Sequence, residues 1–135
     1  RRFVMLVIIS QLTTDKPEEL VRLALVRAKF CELLGNASPY RNESSQLFIV
    51  GLFSLLDAML DVSMKELMGM LPISDKVKED FLEKKGVYAG FLQIAIASER
   101  NQVKVLKPLF TQLQIDLSQV RESYITAVKY ANGHG

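Results

Sequence analysis

Few residues in this sequence are of the kinds that do chemistry, and their spacing limits what they can do. Asp57 and Asp61 stand one helical turn apart, and Glu32 is the carboxylate that could join them on a divalent cation. A cation site needs more convergent oxygens than this pair provides, and Asp61, placed before Val62-Ser63, reads as an exposed helix end. Cys31 follows Arg27 by one turn, and a neighbouring guanidinium lowers a thiol pKa. It also falls on an apolar helix face, where a free cysteine behaves as a small core residue, so it is read as inert. The single histidine, His134, sits in the tail Gly133-His134-Gly135, a poor place for a preorganised ligand. Gly86 and Gly90 flank Val87-Tyr88-Ala89 with no Lys-Ser/Thr following and no strand preceding, which is a helix stop and a close contact rather than a phosphate loop. No catalytic residue, metal or cofactor is expected.

The charged groups are better suited to structural work. Phe48-Ile49-Val50-Gly51-Leu52-Phe53-Ser54-Leu55-Leu56-Asp57 is an almost wholly apolar run that ends on one carboxylate and reads as the central helix of the domain. Gly51 suits a point where another helix comes close. Upstream, Leu20, Leu23, Ala24, Cys31 and Leu34 recur at helical period and define one face, with Arg27 in its middle. A buried charge demands a partner, so Arg27 is expected to pair with Asp57, or alternatively with Glu32. On that reading Arg27→Met destabilises strongly and Arg27→Met with Asp57→Leu recovers much of the loss.

The elements that must hold these groups are all helical. Asp15, Pro17 and Glu18 signal a helix start, and Gly35 an end, which predicts a helix from about Pro17 to Leu34. Asn36 to Ser44 is polar and turn-rich and reads as a mobile surface loop; its glycosylation-like triplets at Asn36 and Asn42 read as chance. Ser63-Met64-Lys65-Glu66 opens a short helix that ends near Leu71-Pro72, and Ser74-Asp75 opens another that Gly86 closes. Val87 to Glu99 is an apolar helix, and Pro108 kinks the next one or starts its second half. Asp116-Leu117-Ser118-Gln119 caps a last helix that ends at Asn132-Gly133. The fold class is all-α: one compact domain over residues 1–135 with about seven or eight helices.

Composition agrees with one core. A chain of 135 residues with a hydrophobic fraction of 49% buries roughly two-thirds of its unfolded surface, enough for a single domain. Seventeen basic and fifteen acidic residues leave +2, without a block of one sign, so nucleic acid is not an expected partner. Lys84-Lys85 and Lys104/Lys107 read as solvated spots. One cysteine excludes an internal disulfide framework. Phe3-Val4-Met5-Leu6-Val7-Ile8-Ile9 is far too short to span a membrane, which takes about 20 residues, and it makes a poor signal peptide, so it reads as buried and the protein as cytoplasmic. Met59, Met64, Met68 and Met70 cluster, either as a core seam or as an adaptable docking groove, and the groove is the functional reading.

Four stretches carry a family resemblance: Arg27-Ala28-Lys29-Phe30-Cys31-Glu32, the run from Phe48 to Asp57, Leu67-Met68-Gly69-Met70-Leu71-Pro72-Ile73, and Leu82-Glu83-Lys84-Lys85-Gly86. Together they resemble the C-terminal part of an HDOD domain (HD-related output domain), in particular the bacterial subgroup in which HDOD follows an EAL cyclic di-GMP phosphodiesterase domain. Glu99, Leu113-Gln114-Ile115 and the stretch from Tyr124 to Ala131 resemble that subgroup's closing helices. The resemblance covers essentially the whole chain and implies that the family's first helices are missing, a cut edge that would expose apolar surface and could pair two copies as a homodimer. It further implies an HD-superfamily-like helical fold without the metal-binding HD motif. The implied function is a non-catalytic signal-transduction module that contacts a protein or an adjacent domain, an EAL phosphodiesterase in that subgroup. The alternatives are a metal-dependent phosphohydrolase or a small-ligand sensor of the HD superfamily.

Overall fold

The computed structural model describes residues 18–56, Asp75 and residues 86–134. These form α1 (Glu18–Asn36), a 3-10 turn (Arg41–Glu43), α2 (Ser44–Leu56), α3 (Gly86–Glu99), a second 3-10 turn (Val103–Leu106), α4 (Lys107–Leu113) and α5 (Leu117–His134). The protein is all-helical, and no strand occurs among the described residues. No described helix is long and apolar enough to cross a membrane.

Helix α1 is the hub of the described elements, packing on α2, α5 and α3, and α2, the helix at Phe48, packs in turn on α1 and α3. Ala24, Ala28, Phe30, Cys31 and Leu34 of α1 are fully buried, as are Leu47, Phe48, Val50 and Leu52 of α2. The face drawn through Leu20 is shorter than its period suggests, because Leu20 itself is 36% exposed. The closeness of α1 and α2 depends on Gly51. A Cβ there would lie 2.7 Å from the Arg27 carbonyl oxygen and 3.0 Å from Ala28 Cα, so the expected close approach falls beneath Arg27.

Two boundaries differ from expectation. Gly35 does not end α1, which runs on to Asn36; its missing side chain instead admits Leu47, whose Cδ1 would stand 2.5 Å from a Cβ at that position. The polar stretch after it is largely structured. Ser38 is buried, its hydroxyl donating to the Gly35 carbonyl at 2.7 Å and accepting from the Tyr40 amide at 3.1 Å, and α2 already begins at Ser44. Tyr40 then packs edge-on against Phe91 of α3, and Tyr88 Oη donates to Glu43 Oε1 at 2.5 Å. Local side-chain bonding of this kind is what polar turn residues supply where helix bonds stop.

Pro108 occupies the first turn of α4, after the 3-10 turn, so it starts a helix and kinks none. Helix α5 opens with the expected reciprocal cap. The Gln119 amide donates to Asp116 Oδ1 at 2.8 Å, and the Asp116 amide donates to Gln119 Oε1 at 2.9 Å. Gln119 Nε2 reaches the Ala37 carbonyl at 3.1 Å, and Lys29 Nζ sits 4.8 Å over the Tyr130 ring, so the two ends of α5 are both held to α1 or the turn after it.

Candidate functional site

Arg27 leaves the middle of α1 where α2 and α3 converge. Its Nε donates to Glu99 Oε2 at 2.7 Å and its Nη2 to Glu99 Oε1 at 3.0 Å, a bidentate pair whose side chains are only 12% and 13% exposed. Nη1 donates to Ser54 Oγ at 3.3 Å, and that hydroxyl donates to the Gly51 carbonyl at 2.7 Å. One guanidinium thus joins α1 to the last turn of α3 and to the backbone of α2, beside the Gly51 crossing.

Asp57, placed opposite Arg27 by the sequence pattern, lies outside the described residues, as do Asp61 and the cluster Met59, Met64, Met68 and Met70. Glu32, the alternative, is buried and accepts from Lys29 Nζ at 2.8 Å, one turn back on its own helix. The carboxylate seated on Arg27 is Glu99, 72 positions later. Reasoning about single helix wheels missed it, although the sequence holds a signal: Glu99 is the one charged residue of the apolar segment Gly86–Glu99.

Cys31 stands one turn from this pair with no exposed surface. Burial pushes its thiol up to about 12, with the Arg27 charge pulling the other way and Glu99 adding to the rise. A thiol so placed is a packing residue and not a nucleophile. Tyr124 of α5 packs edge-on against Phe30 at 5.9 Å, and burial first and the Glu99 carboxylate second raise its phenol above the ordinary value. Among the described residues no three His, Cys, Asp or Glu side chains group as metal ligands do.

Beyond Glu99 the structure opens into a groove of about 1040 Å³ between the end of α3, the second 3-10 turn and α5. Ser98, Lys104, Val105, Arg121, Tyr124 and Ile125 are among its lining. Val105 is 76% exposed and Ile125 57%, so both present aliphatic surface at this groove. Ser98 Oγ is buried and has no hydrogen-bond partner among the described residues. Sequence reasoning took Lys104 and Lys107 as solvated spots and did not connect them with Val105 or with α5.

The chain is 34% identical over 131 residues to CdgJ, a cyclic di-GMP phosphodiesterase of Vibrio cholerae; the match takes in 97% of this chain and 30% of that protein. It is 29% identical over 114 residues to YuxH, an uncharacterized protein of Bacillus subtilis, covering 84% of this chain and 27% of that one. No family model and no solved structure matches the chain. The chain is therefore similar to less than a third of each of two longer bacterial proteins, one of which is named for cyclic di-GMP hydrolysis.

Proposed function

We propose that this chain is a non-catalytic signalling module of the HDOD type, which acts in the cytoplasm by packing against another domain or protein and thereby regulates cyclic di-GMP hydrolysis. The observation that carries this reading is the extent of the match: nearly all of this chain corresponds to 30% of a protein named as a cyclic di-GMP phosphodiesterase, so most of that protein lies outside the match. The residues that carry the HDOD resemblance from Arg27 to Glu32 and from Phe48 to Ser54 fall at the α1–α2 crossing, so they work in packing.

The chemistry of the core supports the same reading. A hydrolase needs acids, bases or metal ligands aimed at a space where substrate sits. Here Arg27 and Glu99 are engaged with each other, and Cys31 is shielded and hard to ionise. A non-catalytic module changes a neighbour's activity only by contacting its two arrangements unequally, and a coupling of about 1–3 kcal/mol shifts an equilibrium roughly 5- to 150-fold.

The test is cyclic di-GMP hydrolysis by the full-length protein that carries this chain, with and without the segment, the remaining part being shown to stay folded by circular dichroism. A changed rate is expected. An unchanged rate would overturn the regulatory reading.

A further inference from the structure

We propose that the groove between the end of α3, the second 3-10 turn and α5 is the docking site of the module, and that its occupant is an acidic protein segment carrying one or two large aliphatic side chains. The inference rests on the regulatory reading above and names the surface and the partner chemistry that it requires.

Two independent features of the groove agree. The first is aliphatic surface: Val105 and Ile125 stand exposed, one on the 3-10 turn and one on α5, and both line the same space. A segment with aliphatic side chains laid across the groove would cover both. The second is charge. Glu99 lies on the groove wall, but its carboxylate is held by Arg27, so it presents little net charge. Lys104 and Arg121 line the groove as well, and neither has a carboxylate partner among the described residues. The charge left to a ligand is therefore positive, which favours Asp and Glu beside the aliphatic anchor and speeds encounter.

The position gives the groove a route to the core. Tyr124 forms part of its wall and packs on Phe30 of α1, and Glu99 forms another part and is bonded to Arg27. An occupant that presses on Tyr124 or draws on Glu99 acts on α1, the helix against which the other described long helices pack.

The experiment is site-directed photo-crosslinking in the full-length protein. Val105→p-benzoylphenylalanine places the probe on the rim, and Gln112→p-benzoylphenylalanine, at an exposed site outside the groove lining, serves as control. Adducts mapped by mass spectrometry are expected on one segment outside residues 1–135 that combines Asp or Glu with Leu, Ile, Val or Phe. Lys104→Glu with Arg121→Glu is expected to lower their yield at least fivefold; both residues are exposed, so the fold is spared. Adducts on a second copy of residues 1–135, or none above the Gln112 control, overturn the proposal. Hydrolysis assays separate the two ideas. If deletion of the segment changes the rate while the charge-reversed groove leaves it regulated, the groove fails and the regulatory reading stands. If deletion changes nothing, the regulatory reading fails whatever the groove captures.

Discussion

The Arg27 guanidinium grips both carboxylate oxygens of Glu99 across 72 positions of chain, at 2.7 and 3.0 Å, with the two side chains almost out of water. A pair in this setting contributes little beyond what apolar replacements would, yet each partner is costly to leave alone. Glu99→Gln is expected to destabilise the protein by about 3 kcal/mol, because it strands the Arg27 charge. Arg27→Met with Glu99→Leu should recover more than half of that loss. Denaturant midpoints for Arg27→Met, Glu99→Leu and the double variant check this, with Glu99→Gln measured beside them, and additive losses would mean that the pair is uncoupled.

The crossing beneath that pair makes a second prediction. Gly51→Ala forces a methyl onto backbone atoms of α1 that cannot step aside, with an expected cost of about 1–3 kcal/mol. Gly90→Ala meets only the tips of Leu109 and Leu113 at 3.3 Å, and the gain in helix propensity offsets a small adjustment. Thermal melts should therefore separate the two substitutions clearly, with Gly90→Ala close to the parent.

Cys31 sets a pH dependence. Its thiol is pushed up to about 12 when folded, against 9.0 for the unperturbed group. Between those values the unfolded chain releases the proton and the folded one keeps it, so stability is intact below pH 9.0 and falls as pH rises through the window. The steepest slope for one proton is about 1.4 kcal/mol per pH unit. Tyr124, also raised, adds to the fall at higher pH. Urea unfolding from pH 8 upward should show the decline, flattened in Cys31→Ala. In the parent, Ellman's reagent should label Cys31 no faster than the chain opens.

The start of α5 is held by Asp116 and Gln119 together. Asp116→Ala is expected to cost about 1 kcal/mol, the usual loss for a helix cap. Gln119→Ala should cost more, since it also removes the bond to the Ala37 carbonyl that ties α5 to the end of α1. Amide hydrogen exchange in the first turn of α5 would register both, and equal effects would show that the tether to Ala37 contributes nothing.

Much of this architecture is legible in the residues, because the features concerned are local. The α5 cap needs only Asp116 and Gln119 three positions apart, and both bonds form as that spacing implies. Cys31 on an apolar face is buried, and glycine at position 51 marks a real helix contact. A glycine does not announce its use, however: Gly35 looked like a terminator and serves instead as a seat for Leu47. The polar run after it looked like open loop and is turned inward by the hydroxyl of Ser38.

The sequence by itself determined the class of fold, most of the face that α1 buries, the cap of α5, and the need for a carboxylate opposite Arg27, since all of these follow from neighbours within a turn or two. Only the tertiary structure decided that Glu99 occupies that place, that α1 is the hub of the described elements, and that Val105, Arg121 and Ile125 share one groove. Those pairings depend on how separate helices cross. The crossing is set by the summed packing of many side chains, which no single segment encodes.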